Sequence, residues 1–83
     1  MFASLVFLET MARARESLKI LGDTIRKHRD QIGMSQEKLA EKSDLHPVYI
    51  GKVERGEQWI SLHALLRIAK ALGVRVRALV EDL

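Results

Sequence analysis

The sequence contains no cysteine, a single proline and five glycines. Without cysteine there is neither a disulfide framework nor a thiolate metal site, as is usual for a cytoplasmic protein. So few glycines and prolines leave little room for a loop-rich fold. No stretch shows the strict alternation of apolar and polar residues that predicts a strand. We therefore expect an all-α protein.

The sequence also has only a small excess of positive over negative charge. The net charge is +3, hydrophobic residues make up 47% of the 83 residues, and this length suffices for one modest core. Between residues 21 and 60 seven basic side chains are matched by seven acidic ones. Net charge therefore does not itself indicate a nucleic-acid partner, and a basic face would have to arise from segregation of charges in the fold.

Catalytic patterns are missing as well. The sequence has no nucleophile with a nearby base, no glycine-rich phosphate loop and no paired carboxylates in an apolar setting. The three histidines, His28, His46 and His63, are far apart and lack the spacing of metal ligands. We expect a protein that is not an enzyme, with no metal, cofactor or small-molecule ligand. The apolar run MFASLVFLET is too short for a membrane span and has no basic leader before it.

Local signals divide the chain into short helices. Gly33 is placed to end a first helix, and Ser35 to cap a second helix from Gln36 to about Lys42. Pro47 suits the first turn of a third helix, about residues 47–55. Ser61 and Gly73 bound a fourth helix, and a short fifth helix follows. The fourth is expected to bury a stripe of Leu62, Leu65, Leu66, Ala69 and Leu72.

Two short helices joined by about four residues, the second beginning at a proline, fit a helix-turn-helix. Four segments support this: Ser35-Gln36-Glu37 before Leu39-Ala40, then Tyr49-Ile50, then Glu54-Arg55-Gly56, and finally IAKALG at residues 68–73. In their order and spacing, from roughly residue 22 to 80, they resemble the Cro/phage-repressor family of helix-turn-helix proteins. The VYIGKVERG stretch also resembles the controller proteins of restriction-modification systems.

The resemblance implies a five-helix lambda-repressor-like bundle acting as a dimeric, sequence-specific transcriptional regulator. Its partner would be double-stranded DNA carrying a pseudo-palindromic operator, with the helix at about 47–55 in the major groove. Val76, Leu79, Val80 and Leu83 are the expected dimer interface. An alternative on the same fold is an antitoxin or another protein-interaction module.

The resemblance also implies roles for individual residues. Gln36 would hold a phosphate at the positive end of the second helix, and Arg29 would pair with Glu54 as a structural ion pair. The remaining candidates for DNA contact are His46, Pro47, Val48, Tyr49, Lys52 and Arg55. Val48 suits a thymine methyl and Lys52 a guanine or a phosphate. Gly51 is expected to face outward with them, where it would let the backbone approach the DNA closely.

Several of these assignments have alternatives. Tyr49 either donates to phosphate or packs its ring on the domain edge, and His46 either caps the third helix or contacts phosphate. The sequence departs from the family pattern at two positions. Asp44 stands where the turn often has glycine, a change that a left-handed aspartate tolerates. Pro47 has no donor for the usual base contact.

The ends of the predicted domain, residues 21–83, are harder to interpret. Trp59 either caps the small core or contacts a dimer partner. Residues 1–20 form an extension that begins with apolar side chains and continues with basic ones. We expect an extra N-terminal helix packed on its own domain or on a partner. The alternative is that Met11 is the natural start.

Overall fold

The computed structural model describes the backbone of residues 2–83 and the side chains from Ser4 onward. Five helices follow one another along the chain: α1 (Phe2–Gln31), α2 (Gln36–Ser43), α3 (Pro47–Glu54), α4 (Leu62–Leu72) and α5 (Val76–Val80). No strand occurs between residues 2 and 83. The expectation of an all-α bundle is confirmed.

The N-terminal extension is helical, but it is not a separate helix. Residues 2–31 form one helix of 30 residues, and no glycine or proline interrupts the sequence before Gly22. At about 1.5 Å per residue such a helix is roughly 45 Å long, close to the 47 Å longest dimension of the molecule. The side chains of Leu5, Val6, Phe7 and Leu8 stay exposed, so the beginning of the extension does not pack on its own domain, whereas Lys19 near its end lies against Gly56.

The core is built where all five helices meet. Its fully buried side chains come from each of them: Ile25 of α1, Leu39 of α2, Ile50 of α3, Ile68 of α4 and Leu79 of α5. Because Leu79 is 1% exposed, it belongs to this core and is not available to the dimer interface for which it was predicted.

The expected apolar stripe of α4 is partly wrong. Leu65, Ala69 and Leu72 are buried as predicted, together with Ala64 and Ile68. Leu62 and Leu66, however, are 67% and 50% exposed. They occupy a neighbouring strip of the helix that turns toward solvent, since residues four apart lie one above the other.

Trp59 does not cap the core either. Its side chain lies in the loop between α3 and α4 and is 55% exposed. The alternative role, contact with a second copy, stays a prediction.

The turn between α2 and α3 depends on Asp44. Its backbone is left-handed, with φ 54° and ψ 47°, and its N–H caps the carbonyls of Ala40 and Glu41. The expectation that aspartate can replace glycine here is confirmed. Arg67 of α4 donates to the Asp44 carboxylate at 2.9 Å, which ties the turn to the neighbouring helix.

Candidate nucleic-acid interface

The two helices of the predicted DNA-binding unit both begin with side-chain caps. The Ser35 hydroxyl accepts from the backbone N–H of Lys38 at 3.0 Å, as a residue before a helix commonly does. His46 accepts the N–H of Val48 on Nδ1 at 3.1 Å, so His46 caps α3. An imidazole that accepts on Nδ1 in its neutral form carries its proton on Nε2, which leaves a donor beside the start of α3.

The outer face of α3 is formed by exposed side chains. Pro47, Val48 and Lys52 are all exposed, and Val48 retains 58% of its accessible surface. Ile50 and Val53 point into the core as predicted. Tyr49 lies half-buried with its ring against the core, which is one of the two alternatives considered for it.

Gly51 does not face outward as expected. It is buried, and a Cβ there would lie 3.1 Å from Nη1 of Arg55 and 3.9 Å from Oε1 of Gln36. These two longer side chains lie over the glycine. They, rather than the glycine backbone, form the surface at this point.

Arg29 and Glu54 form a bidentate ion pair between α1 and the end of α3. Arg29 donates from Nε to Glu54 Oε2 at 2.8 Å and from Nη2 to Oε1 at 3.0 Å. A third donor, Nη1, reaches the carbonyl of Met34 at 2.8 Å. The two side chains are 12% and 2% exposed. The hydrogen bond to Glu54 raises the pKa of Arg29 above its ordinary value, although burial lowers it.

A third residue joins this pair, a contact that sequence reasoning did not predict. Gln36 donates from Nε2 to Oε1 of Glu54 at 2.9 Å. Its amide group is therefore held in place rather than free in solvent, and it keeps a second amide hydrogen for another acceptor. The Arg29–Glu54–Gln36 cluster thus connects α1, α2 and α3, and it sets how α2 and α3 lie relative to each other.

Gly22 is a further residue that sequence reasoning missed. A Cβ at this position of α1 would lie 2.5 Å from the carbonyl oxygen of Glu54 and would also overlap the carbonyl of Val53. The absence of a side chain lets α1 approach the end of α3 directly. The available signal was the glycine itself, since it stands inside a helical segment where glycine is unfavourable.

The basic residues of this surface differ in their surroundings. Arg55 donates from Nε to Glu57 at 3.0 Å, and both side chains are 56% exposed. Within residues 4–83 Lys52 forms no ion pair, so its ammonium group is available to an external acceptor.

Residues 4–83 hold neither a metal-binding cluster nor a membrane-spanning helix. No group of three or more histidine, aspartate or glutamate side chains in that part of the chain is arranged to hold a metal ion. None of its helices combines the length and the hydropathy needed to cross a membrane.

This chain is similar in sequence to known proteins. The family model described as "Helix-turn-helix" matches residues 25–79. The control protein C.SmaI of Serratia marcescens is 47% identical over 58 residues, which are 70% of this chain and 69% of that protein. The control protein C.BamHI of Bacillus amyloliquefaciens is 43% identical over 63 residues, 75% of this chain and 78% of that protein.

A solved structure is similar in fold as well as in sequence. The restriction-modification controller protein C.AhdI from Aeromonas hydrophila superposes with a TM-score of 0.74 at 42% identity, covering 75% of this chain and 94% of that one. The family match, the two curated relatives and the superposed fold agree with one another. This chain belongs to the helix-turn-helix family, and its relatives include restriction-modification controller proteins.

Proposed function

We propose that this protein is a dimeric transcriptional regulator that binds a pseudo-palindromic operator in double-stranded DNA and controls the genes of a restriction-modification system. The names of the relatives support the second part. The proposal includes no enzymatic activity, membrane association or small-molecule effector, and it assigns the protein to the cytoplasm.

The observation that carries the proposal is the rigid presentation of α3. Its exposed side holds Pro47, Val48 and Lys52, while the buried Glu54 at its end is fixed by Arg29 and Gln36. A helix held in this way can enter the major groove of B-DNA as a preformed unit. Val48 would contact a thymine methyl, and Lys52 would donate to a guanine edge. Pro47 would contribute an apolar contact in place of a donor.

The surrounding residues suit phosphate contacts. The second amide hydrogen of Gln36 and the backbone N–H groups at the start of α2 form a positive helix end. His46 offers its Nε2–H, Tyr49 its hydroxyl and Arg55 its guanidinium at the edges of the same surface. Contacts of this kind fix the register of a protein on DNA without reading sequence.

One copy of α3 reads too few base pairs for useful specificity, so the proposal includes a two-fold dimer with half-sites about 34 Å apart. Val76 and Val80 are half-buried on α5, and Leu83 is 51% exposed. These three side chains leave apolar surface at the C-terminal end of the bundle, and we assign the dimer interface to them.

Selection from a random pool of duplex DNA, followed by binding to the selected duplex at two salt concentrations, tests the proposal. We expect a pseudo-palindromic consensus bound by two copies. Affinity should fall steeply with salt, because each neutralised phosphate releases counterions. The proposal would be contradicted if the selection enriched no sequence and the protein stayed monomeric at micromolar concentration, with and without DNA. A protein-interaction module on the same fold would give that result.

A further inference from the structure

The N-terminal arm of α1, defined here as residues 4–18, exposes an unusual amount of apolar surface. Four consecutive side chains near its tip are 60–62% exposed: Leu5, Val6, Phe7 and Leu8. Because four consecutive residues cover every side of a helix, the tip is apolar all round. A helix of that kind is normally buried against something. The domain itself does not cover it, since the first buried residue along the described part of α1 is Leu21.

The arm also carries a regular seam. Phe7, Met11, Ala14, Leu18, Leu21 and Ile25 follow one another at alternating intervals of four and three residues. This is the spacing of the inner positions of a two-helix coiled coil. The last two members, Leu21 and Ile25, are buried in the domain core. The first four continue the same face of α1 beyond the domain, where Met11, Ala14 and Leu18 are partly exposed.

We propose that the arms of two copies of this chain pair with each other, antiparallel, along this seam. The direction follows from the position of the domain. From Leu21 onward the seam face of α1 is covered by α3 and α5. In a parallel pair both domains would have to fit between two helices whose axes are about 8–10 Å apart. In an antiparallel pair each domain lies beyond the tip of the other arm.

The seam also sets the register. In this register each arm ends where the domain of the other copy begins. Met11 of one copy then lies against Ala14 of the other, so that a large side chain packs on a small one. Phe7 then packs on Leu18 of the second copy. Leu18 lines a surface groove together with Arg15, Lys19, Gly56, Glu57 and Trp59. The tip of one arm therefore ends beside Trp59 of the other copy, which is exposed in the single chain.

Because the two domains of an arm pair lie at opposite ends of the paired helices, the arms join copies that do not share the α5 interface, and the contact links one dimer to another. An arm of about fifteen residues is shorter than the roughly 20–30 residues that each partner contributes to a standard interface. The match to the family model begins at residue 25, and the match to C.AhdI covers 75% of this chain and 94% of that one. The arm therefore falls largely outside these similarities.

The lack of cysteine makes disulfide trapping a clean test, because introduced thiols have no native competitor. Full-length Met11→Cys and Ala14→Cys, one of them carrying a mass tag, are mixed without DNA under mild oxidation. A disulfide requires Cα atoms within about 7 Å, so the proposal predicts mostly mixed dimers. The control pair, Leu5→Cys with Ala12→Cys, lies on a face away from the seam and should give few. Equal yields from both pairs, self-linked products in place of mixed ones, or no linkage would overturn the proposal.

Charge substitutions give an independent readout. Phe7 and Leu5 are 62% and 60% exposed but lie on nearly opposite sides of the helix. Phe7→Glu should weaken self-association in sedimentation at least tenfold and shift the emission of Trp59, the single tryptophan, to longer wavelength. Leu5→Glu should change neither. Equal effects of the two substitutions would contradict the seam. An unchanged association together with binding of neutral phosphatidylcholine vesicles would show that lipid, not a second copy, covers the arm.

Discussion

The backbone of Gly22 lies directly against the carbonyl group of Glu54, so closely that a Cβ at position 22 would be 2.5 Å from its oxygen. The same Glu54 accepts from Arg29 and Gln36 through its carboxylate. One residue at the end of α3 is thus held by its backbone against Gly22 of α1 and by its side chain against Arg29 of α1 and Gln36 of α2. The position of α3 depends on this close approach, because anything that separates α1 from α3 also stretches the ion pair.

Gly22→Ala therefore should destabilise the fold. The gain in helix propensity is about 1 kcal/mol, but the added methyl group meets backbone carbonyls that cannot move without shifting α3. We expect a net loss of about 1–3 kcal/mol in the free energy of unfolding, measured by urea denaturation. The affinity for DNA should fall as well, even at urea concentrations far below those that unfold the variant.

Gly73→Ala is the matched control. Gly73 also requires a glycine-like backbone, with φ 73°, but a Cβ there would meet nothing within 4 Å. It should cost about 1–2 kcal/mol through backbone strain alone and leave DNA affinity of the folded protein unchanged. A Gly22→Ala variant with normal stability and normal DNA binding would mean that α1 and α3 are not held by this contact.

The Arg29–Glu54 pair should be far more sensitive than the exposed pairs of the same protein. Glu54→Gln leaves the guanidinium of Arg29 without its buried counter-charge and is expected to cost about 3–5 kcal/mol in the free energy of unfolding. Asp23→Asn breaks the Arg26–Asp23 pair, whose side chains are 54% and 56% exposed, and should cost less than about 1 kcal/mol. Comparable losses in the two variants would mean that Glu54 does not hold the three helices together.

The sequence could predict the local signals of this fold. Ser35, Pro47 and Ser61 begin helices where expected, and Asp44 adopts the left-handed turn. Short-range chemistry decides these features, so neighbouring residues suffice to predict them. The resemblance to a known family also led to the Arg29–Glu54 pair, which joins residues 25 positions apart.

The sequence alone could not predict the contacts between distant segments. The bond from Gln36 to Glu54 and the fit of Gly22 under α3 depend on how three helices meet. Leu62 and Leu66 had the right spacing for a buried stripe, but periodicity does not decide which of two adjacent strips faces the core. The sequence did not predict the continuity of α1, because no local signal joins the apolar and basic halves of the extension to the first helix of the domain.

Lys52 and Gln36 should affect DNA binding in different ways. If Lys52 reads a base, Lys52→Ala should weaken binding to the selected operator by about 1–3 kcal/mol and leave nonspecific binding nearly unchanged. Gln36→Ala should weaken binding to all sequences while the preferred sequence stays the same. Competition binding with the operator and its single-base variants measures both effects.

Two outcomes would reassign these residues. If Lys52→Ala weakens all sequences equally and lowers the salt slope by about one, Lys52 contacts a phosphate and not a base. A change in the preferred operator caused by Gln36→Ala would contradict the phosphate role of Gln36.

Glu57 should act as a competitor of DNA for Arg55. In the free protein the carboxylate of Glu57 accepts from Arg55 at 3.0 Å, so a phosphate must replace it when Arg55 turns to DNA. Glu57→Gln removes that competing charge. Since exposed pairs contribute at most about 1 kcal/mol, the variant should bind DNA up to roughly fivefold more tightly at low salt, and the gain should shrink as salt screens the pair.

Removing an acidic side chain near DNA also lowers general repulsion, and a double-mutant cycle separates the two effects. The DNA affinities of Glu57→Gln, Arg55→Ala and the double variant are compared with that of the original protein by fluorescence anisotropy. If Glu57 acts through Arg55, the gain from Glu57→Gln should largely disappear when Arg55 is alanine. A gain of the same size in both backgrounds would show that Glu57 repels the DNA directly and that its ion pair with Arg55 does not regulate binding.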